Sequence, residues 1–520
     1  MDASPNMERR PRKIVVACDG TWMNSDLGWK KASLWERLTK GVKGHPVDPS
    51  NVTRICRAMR PEDDEGHPQI IYYQNGLGSS WSIVDKFLGG VLAMGLSDNI
   101  RAAYAFLVNN YMEHDLIYFV GYSRGAFTAR STAGMVAKFG ILDKAAMRCF
   151  YEIFQDWEGA GENHYLPKGP RALLDAKLID LEEFNLFQSD LPAADAGDGP
   201  DAYLDYYAQR LQDLKLTRDV KIAAIGVFDT VGSLGLPVTP WLQNIGFAPT
   251  LRKYRFYDTT ISNEVLNAFQ ALALDEHRSA FSPTLWEKPK GNITNLKQVW
   301  FPGVHSNIGG GAADTGMSDI TLAWMMSQLA TISTNSPKTN MMNIAFTMEP
   351  QNYLLGEVNA DKAQYPKGTP PRAWAWGLGD LINSFVFPAN IVGKHTRTPG
   401  KYHRLRYDNG KPTNDLLVNT NEYLHASVRA RMLLRGQNYD LKTQYFPAAL
   451  GVPKHDTNHD LVKNWMAPKG NRKTWIHLDT GLEEDELGEF EKEIVDEATL
   501  KTLFDHQSKD SHGRQSEEFS

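Results

Sequence analysis

The apolar run Leu116–Val120 passes without a break into Gly121-Tyr122-Ser123-Arg124-Gly125, and that pentad opens into the small-residue run AFTARSTAGMVAKFG. A buried strand, a tight turn and a helix must therefore follow one another, which confines the chain to folds in which strands feed helices. The turn is tight enough that its flanking positions tolerate only small residues, and it lifts the Ser123 hydroxyl clear of the sheet edge. The helix behind it offers first-turn N–H groups to negative charge developing there. The plainer alternative for the same residues is a strand-to-helix turn with a buried serine.

The rest of the chain repeats the theme. KIVVAC at 13–18 reads as a fully buried parallel strand ending at Asp19-Gly20-Thr21, and Gln69–Tyr73 as another ending at Gln74-Asn75-Gly76. Ile100–Tyr111 has the pattern of an amphipathic helix, and strands are expected at Lys221–Phe228 and Lys297–Phe301. Strands alternating with helices predict an α/β, α/β-hydrolase-like fold, with a mostly parallel sheet and helices on both faces. Residues 150–215 break the rhythm with aromatics, Asp and Pro, and read as an insertion, helical in part, that caps the active edge. An irregular, lid-like segment at 338–407 carries Trp374, Trp376, Phe385 and Phe387. The expected division is a catalytic domain at 10–430, a C-terminal extension at 431–505 packed on it, and a disordered tail at 506–520.

Composition excludes several classes. With 56 Lys plus Arg against 62 Asp plus Glu, the net charge of −6 argues against a nucleic-acid-binding surface. Cys18, Cys56 and Cys149 match no zinc spacing and no disulfide scaffold, so a reducing compartment is the default. The N-terminal segment is polar and basic, with no signal-like apolar stretch, and no run is long enough to span a membrane, so a cytoplasmic protein is expected. Gly309-Gly310-Gly311 lacks the residues of a phosphate loop, and Asp275-Glu276-His277 would diverge on a helix, so neither cofactor nor metal is implied.

A serine nucleophile needs a base, and the base needs an orienting acid. The strand at Lys221–Phe228 ends at Asp229-Thr230-Val231-Gly232-Ser233, and the strand at Lys297–Phe301 ends at Pro302-Gly303-Val304-His305-Ser306-Asn307. Strand-end loops are where an open parallel sheet gathers its ligands. His305 is thus the candidate base among 14 histidines, and Asp229 the favoured acid. Asp275 is the rival acid, in a helical context where pairing with Arg278 would be the plainer role. Candidate oxyanion donors are the N–H groups of Arg124 and of the Gly20–Thr21 turn. Trp374, Trp376 and Phe385 are candidates for an acyl pocket or interfacial lid, against plain core.

Taken together, VVACDGTW (15–22), GYSRGAFTAR (121–130), VFDTVG (227–232), ALALDEHR (271–278) and WFPGVHSNIGGG (300–311) resemble the α/β-hydrolase domain of type VI secretion phospholipase effectors, a family also widespread in fungi. Arg397-Thr398-Pro399-Gly400 and EYLHASVR (422–429) are weaker matches. The resemblance implies a serine esterase acting on acyl esters, phospholipids included, with Ser123 as nucleophile, Asp229 as acid and His305 as base. Asn307 departs from the Asp common in the family, and Asn75-Gly76-Leu77-Gly78 from its Gly-Val-Gly loop. Implied partners are a small-molecule or lipid ester and peripheral contact with a membrane. A small-molecule esterase, an acyltransferase and a non-catalytic binding module are the competing readings.

Overall fold

The computed structural model describes residues 9–20, 30–31, 44–45, 49–76, 91–162, 164–194, 201–231, 259–312, 314–332, 342–346, 376–383, 394–405, 412–440, 442–451, 464–469, 473–495, 497, 499–501 and 503. Seven strands build one sheet: β1 (Lys13–Cys18), β2 (Gln69–Gln74), β3 (Leu116–Tyr122), β4 (Ile222–Phe228), β5 (Asn267–Ala273), β6 (Asn295–Phe301) and β7 (Glu422–Leu424). Their order across the sheet is β7-β6-β5-β4-β3-β1-β2, and every neighbouring pair is parallel. After β1 the chain first goes outward to β2, then returns past β1 to lay down β3. The ends of β1 and β3 therefore face each other across a topological switch point, with Cys18 paired to Gly121.

Alternate residues of each strand serve opposite cores. Ile14, Val16, Ile117, Phe119, Ile225 and Val227 enter one cluster, and Val15, Ala17, Tyr118, Val120, Ala224 and Phe228 the other. Burial on both faces explains the continuous apolar strands. The first cluster is covered by α2 (Val91–Asn110) and α3 (Arg124–Phe139), the second by α1 (Asn51–Ala58) and by α9 (Gly316–Ala330), which follows the short α8 (His305–Gly309). The fold class is thus α/β-hydrolase-like, as the strand–helix alternation predicts.

Two strands escape the sequence reading. β5 is NAFQALA, with no β-branched residue, so its apolar run is ambiguous between helix and strand. Asp275 consequently follows a strand and sits in a bend, not in the helical context expected of it. β7 has only three residues and carries too short a pattern to recognise.

Between 150 and 215 the chain forms α4 (Phe150–Glu158), α5 (Gly169–Asp175), α6 (Leu181–Ser189) and α7 (Asp201–Asp213). Three of them, α4, α5 and α7, are knit around the buried Asp156, which accepts bonds from Tyr165, Tyr207 and the N–H groups of Lys168 and Gly169. They dock beside the sheet: Phe150 stacks on Tyr104 of α2 at 5.1 Å, and Tyr207 on Phe139 at the far end of α3 at 5.3 Å. Beyond 430, Trp465, Trp475 and Val495 enter the second core, and Glu484 forks Arg429 at 2.6 and 3.0 Å. The tail expected at 506–520 lies outside the described residues. No helix among the described residues is long and apolar enough to cross a membrane.

One buried ion pair ties the second helical layer together. Arg54 of α1 meets Asp319 of α9 at 2.5 Å, and both side chains are at most 5% exposed. Removing one partner strands a buried charge, so Asp319→Ala is expected to cost about 3–5 kcal/mol. A downward shift of the urea midpoint at unchanged slope checks this.

Candidate active site

Because all seven strands are parallel, their C-terminal ends share one edge, and the site is assembled there from four strand ends. Ser123 follows β3 with φ 59° and ψ −123°, a backbone conformation that non-glycine residues rarely adopt. The flanking glycines allow it. A Cβ on Gly121 would stand 2.6 Å from the Ala126 Cα, and one on Gly125 would stand 2.2 Å from the Cys18 carbonyl oxygen. The Gly-x-Ser-x-Gly spacing is thus set by backbone crowding between the turn, its helix and the end of β1.

The His305 Nε2 atom lies 2.8 Å from Ser123 Oγ, and its Nδ1 lies 2.6 Å from Asp229 Oδ2. Serine, histidine and aspartate, separated by up to 182 residues, form one hydrogen-bonded line. Asp229 is fully buried with φ 41°, and its backbone N–H donates to Ala271 across the sheet. The imidazole is held on its faces and from behind. Tyr122 packs on it at 4.9 Å, Phe281 meets it edge-on at 4.9 Å, and Glu276 accepts its backbone N–H at 3.2 Å. Arg278 grips Glu276 at 2.9 and 2.8 Å and lies over Phe281. Arg278 therefore pairs with Glu276 and not, as the local spacing suggests, with Asp275.

Burial alone would raise the Asp229 carboxyl, but the positive charge of Arg397, followed by the hydrogen bond from His305, holds it well below the usual carboxylate range. Arg397 is the residue that sequence reasoning missed. It forks Asp229 at 2.5 and 3.0 Å and is itself 1% exposed. Its motif was visible as RTPG at 397–400, with nothing to say which acid it met.

Asp275 lies elsewhere. Its Oδ2 accepts the Gly303 N–H at 2.7 Å and the Tyr445 hydroxyl at 2.8 Å, so it braces the base of the loop that carries His305. Burial pushes its carboxyl up to about 6 against those two donors. Glu276, also buried, is held down at about 2 by Arg278. Asn307 uses both ends of its amide, accepting from Val304 and donating to the Asp380 carbonyl at 2.9 Å. An ionised aspartate at this position could not make the second bond.

The remaining candidates divide. Arg124 opens α3, and burial draws its guanidinium down to about 10. Gly20 packs on the Tyr122 ring, where a Cβ would approach to 2.6 Å, and its N–H donates to Asp19 Oδ1 at 2.7 Å. Asp19 also accepts from Ser50, Thr53 and Tyr73, so it pins the turn after β1. Trp376 is 6% exposed and packs 5.5 Å from the ring of His425, within the second core. Thr21, Leu77, Gly78, Trp374, Phe385 and Phe387 lie outside the described residues.

Against known proteins, residues 12–328 match the family described as T6SS, phospholipase effector Tle1-like, catalytic domain, which is more than half of the chain. The chain belongs to this family. All three residues of the hydrogen-bonded line fall inside the Tle1-like stretch, whereas Arg397 lies beyond its end. The chain is also 27% identical over 248 residues to the uncharacterized protein YEL023C of Saccharomyces cerevisiae, covering 45% of this chain and 29% of that protein. This chain thus spans under a third of that relative's length. A crystal structure of an uncharacterized protein from Pseudomonas aeruginosa is 16% identical over 69% of this chain and 51% of that one, at a TM-score of 0.28, too low to bear on the fold.

Two variants separate the acids. Asp229→Asn is expected to slow fluorophosphonate labelling of Ser123 by about 10³-fold or more, and Asp275→Asn by less than about tenfold. A larger loss in Asp275→Asn than in Asp229→Asn would reverse the assignment. Asp275 also sets a pH dependence. Its carboxyl lies at about 6 against an ordinary 3.8, so in that window the folded chain keeps a proton that the unfolded chain has lost. Its contribution is complete below the ordinary value and fades as pH rises through about 6. Relative to wild type, Asp275→Asn should therefore gain stability from pH 4 to pH 6.5, by about 1.4 kcal/mol per unit of the raised pKa. Urea unfolding at the two pH values measures it.

Proposed function

We propose that this Tle1-like chain is a serine hydrolase that cleaves carboxylic esters, with acyl chains of lipids as its substrate class. The observation that carries the reading is the line Ser123 Oγ, His305 Nε2, His305 Nδ1, Asp229 Oδ2, with spacings of 2.8 and 2.6 Å. His305 takes the hydroxyl proton as Ser123 attacks the ester carbonyl, and Asp229 stabilises the imidazolium that results. The oxyanion meets the N–H of Arg124 in the first turn of α3, where the helix dipole adds to the hydrogen bond. His305 returns the proton to the leaving alcohol. It then draws a proton from water, which attacks the acyl-enzyme and frees Ser123.

Gly20 is the weaker oxyanion donor in this scheme, since its N–H already serves Asp19. A phospholipid substrate follows from the family's description and not from any described pocket; the fit of Trp376 into the core leaves acyl binding to other residues. A lipid ester would be met at a membrane surface, with the protein in peripheral contact.

The test is hydrolysis of short- and long-chain p-nitrophenyl esters and of a fluorogenic phospholipid by wild type and Ser123→Ala. Turnover by wild type and a loss of about 10³-fold or more in the variant is the expected result. Equal, negligible turnover by two folded proteins on every substrate would overturn the reading. Preference for the short ester over the phospholipid would overturn its lipid half.

A further inference from the structure

Asp229 is a saturated carboxylate. Its Oδ1 accepts from Arg397 Nη1 at 2.5 Å and from the Ala273 N–H at 2.9 Å. Its Oδ2 accepts from His305 Nδ1 at 2.6 Å and from Arg397 Nη2 at 3.0 Å. An ionised carboxylate has about four lone-pair sites, so no free one remains to let it swivel. Both Nη atoms of the guanidinium are equally committed. Nη1 also donates to the Ala273 carbonyl at 2.6 Å and Nη2 to the Phe281 carbonyl at 2.7 Å. Arg397 is brought in by a short strap: Lys394 bridges to Arg278 in antiparallel fashion, and the His395 N–H donates to the His277 carbonyl at 2.8 Å. The strap thus lies along the chain that carries Phe281, whose ring abuts His305.

We propose that Arg397 is a positioning residue of the triad: it fixes the plane of the Asp229 carboxylate and balances the charge that this carboxylate sets against His305. The inference rests on the proposed serine-hydrolase reading and adds a residue that the matched catalytic stretch does not contain.

The charge argument follows from the groups around the imidazole. Asp229 faces Nδ1 and is paired with Arg397; Glu276 holds the backbone N–H and is paired with Arg278; Asp275 braces the same loop through Gly303. Among the described residues, Ser123, Tyr122 and Phe281 are the uncharged neighbours of the ring. With Arg397 present, Asp229 is already neutralised, and its pull on a second cation is weakened. Without Arg397, an unbalanced carboxylate sits against the ring, and the imidazolium is favoured. The labelling of Ser123, which needs the neutral ring, should then fall away at a higher pH than in wild type.

The experiment follows the rate of Ser123 labelling by a fluorophosphonate against pH, using the full chain as wild type, Arg397→Met and Arg397→Lys. Folding is checked by circular dichroism. In Arg397→Met the acid limb should move up by about one pH unit. The plateau should fall about tenfold to a hundredfold as the acid loses its fixed plane. Arg397→Lys keeps the charge but not the fork, so its acid limb should stay near that of wild type while its plateau remains depressed. A folded Arg397→Met with a lower plateau and an unmoved limb would make Arg397 a structural clamp only and overturn the proposal. Should Arg397→Met fail to fold, Arg397→Lys decides alone: a wild-type plateau overturns the proposal, and a depressed plateau with a wild-type limb supports it. Wild type left unlabelled would defeat the triad reading and this inference together; labelled wild type with an unmoved limb defeats the inference alone.

Discussion

An ionised carboxylate with no solvent around it is costly to hold, and the architecture at the strand ends is what makes Asp229 tolerable. Burying such a charge unpaired would drive it to take up a proton. Asp229 keeps its charge because a backbone N–H of β5, an imidazole from the loop after β6 and a guanidinium from the strap at 394–397 all converge on it. Those donors come from separate segments, so the position of one side chain ties together elements that the chain order keeps far apart. The parallel sheet makes the convergence possible by bringing all its C-terminal ends to one edge.

A second constraint acts on Ser123, and it is steric. Ser123 has a backbone conformation that an isolated residue would leave, and the crowding of Gly125 against the carbonyls of Cys18 and Asp19 shows why it cannot relax. The strand below, the helix behind and the end of β1 beside it leave one path for the turn. The serine is therefore presented by packing, while the acid is presented by charge. His305 bridges the two regimes, with aromatic rings on its faces and hydrogen bonds at both nitrogens.

Much of this was legible in the amino-acid sequence because strand ends announce themselves. Apolar runs that stop at Ser123, Asp229 and His305 are local signals, and the parallel fold turns local signals into spatial neighbours. Arg397 was opaque for the opposite reason: it meets Asp229 across 168 residues, and no periodicity links an arginine in a strap to an acid on a sheet. β5 was hidden by composition, since Asn, Ala, Phe, Gln and Leu carry little strand preference, and with it went the setting of Asp275. Arg278 illustrates the limit of spacing rules. Three residues apart would suit a helix, but on a bend after a strand its reach is to Glu276.

The strap has a consequence for the life of the chain before it is folded. Ser123, Asp229 and His305 are all synthesised well before Arg397, and a contact closed across so long a loop forms late. Until it closes, the acid has only water, the Ala273 N–H and the imidazole as partners, and the carbonyls of Ala273 and Phe281 lack the guanidinium that joins them. The Ser123 turn is thus built early and the Asp229 carboxylate fixed last, so a ribosome-bound chain that has not yet delivered the strap holds the three residues of the line without the clamp that sets them.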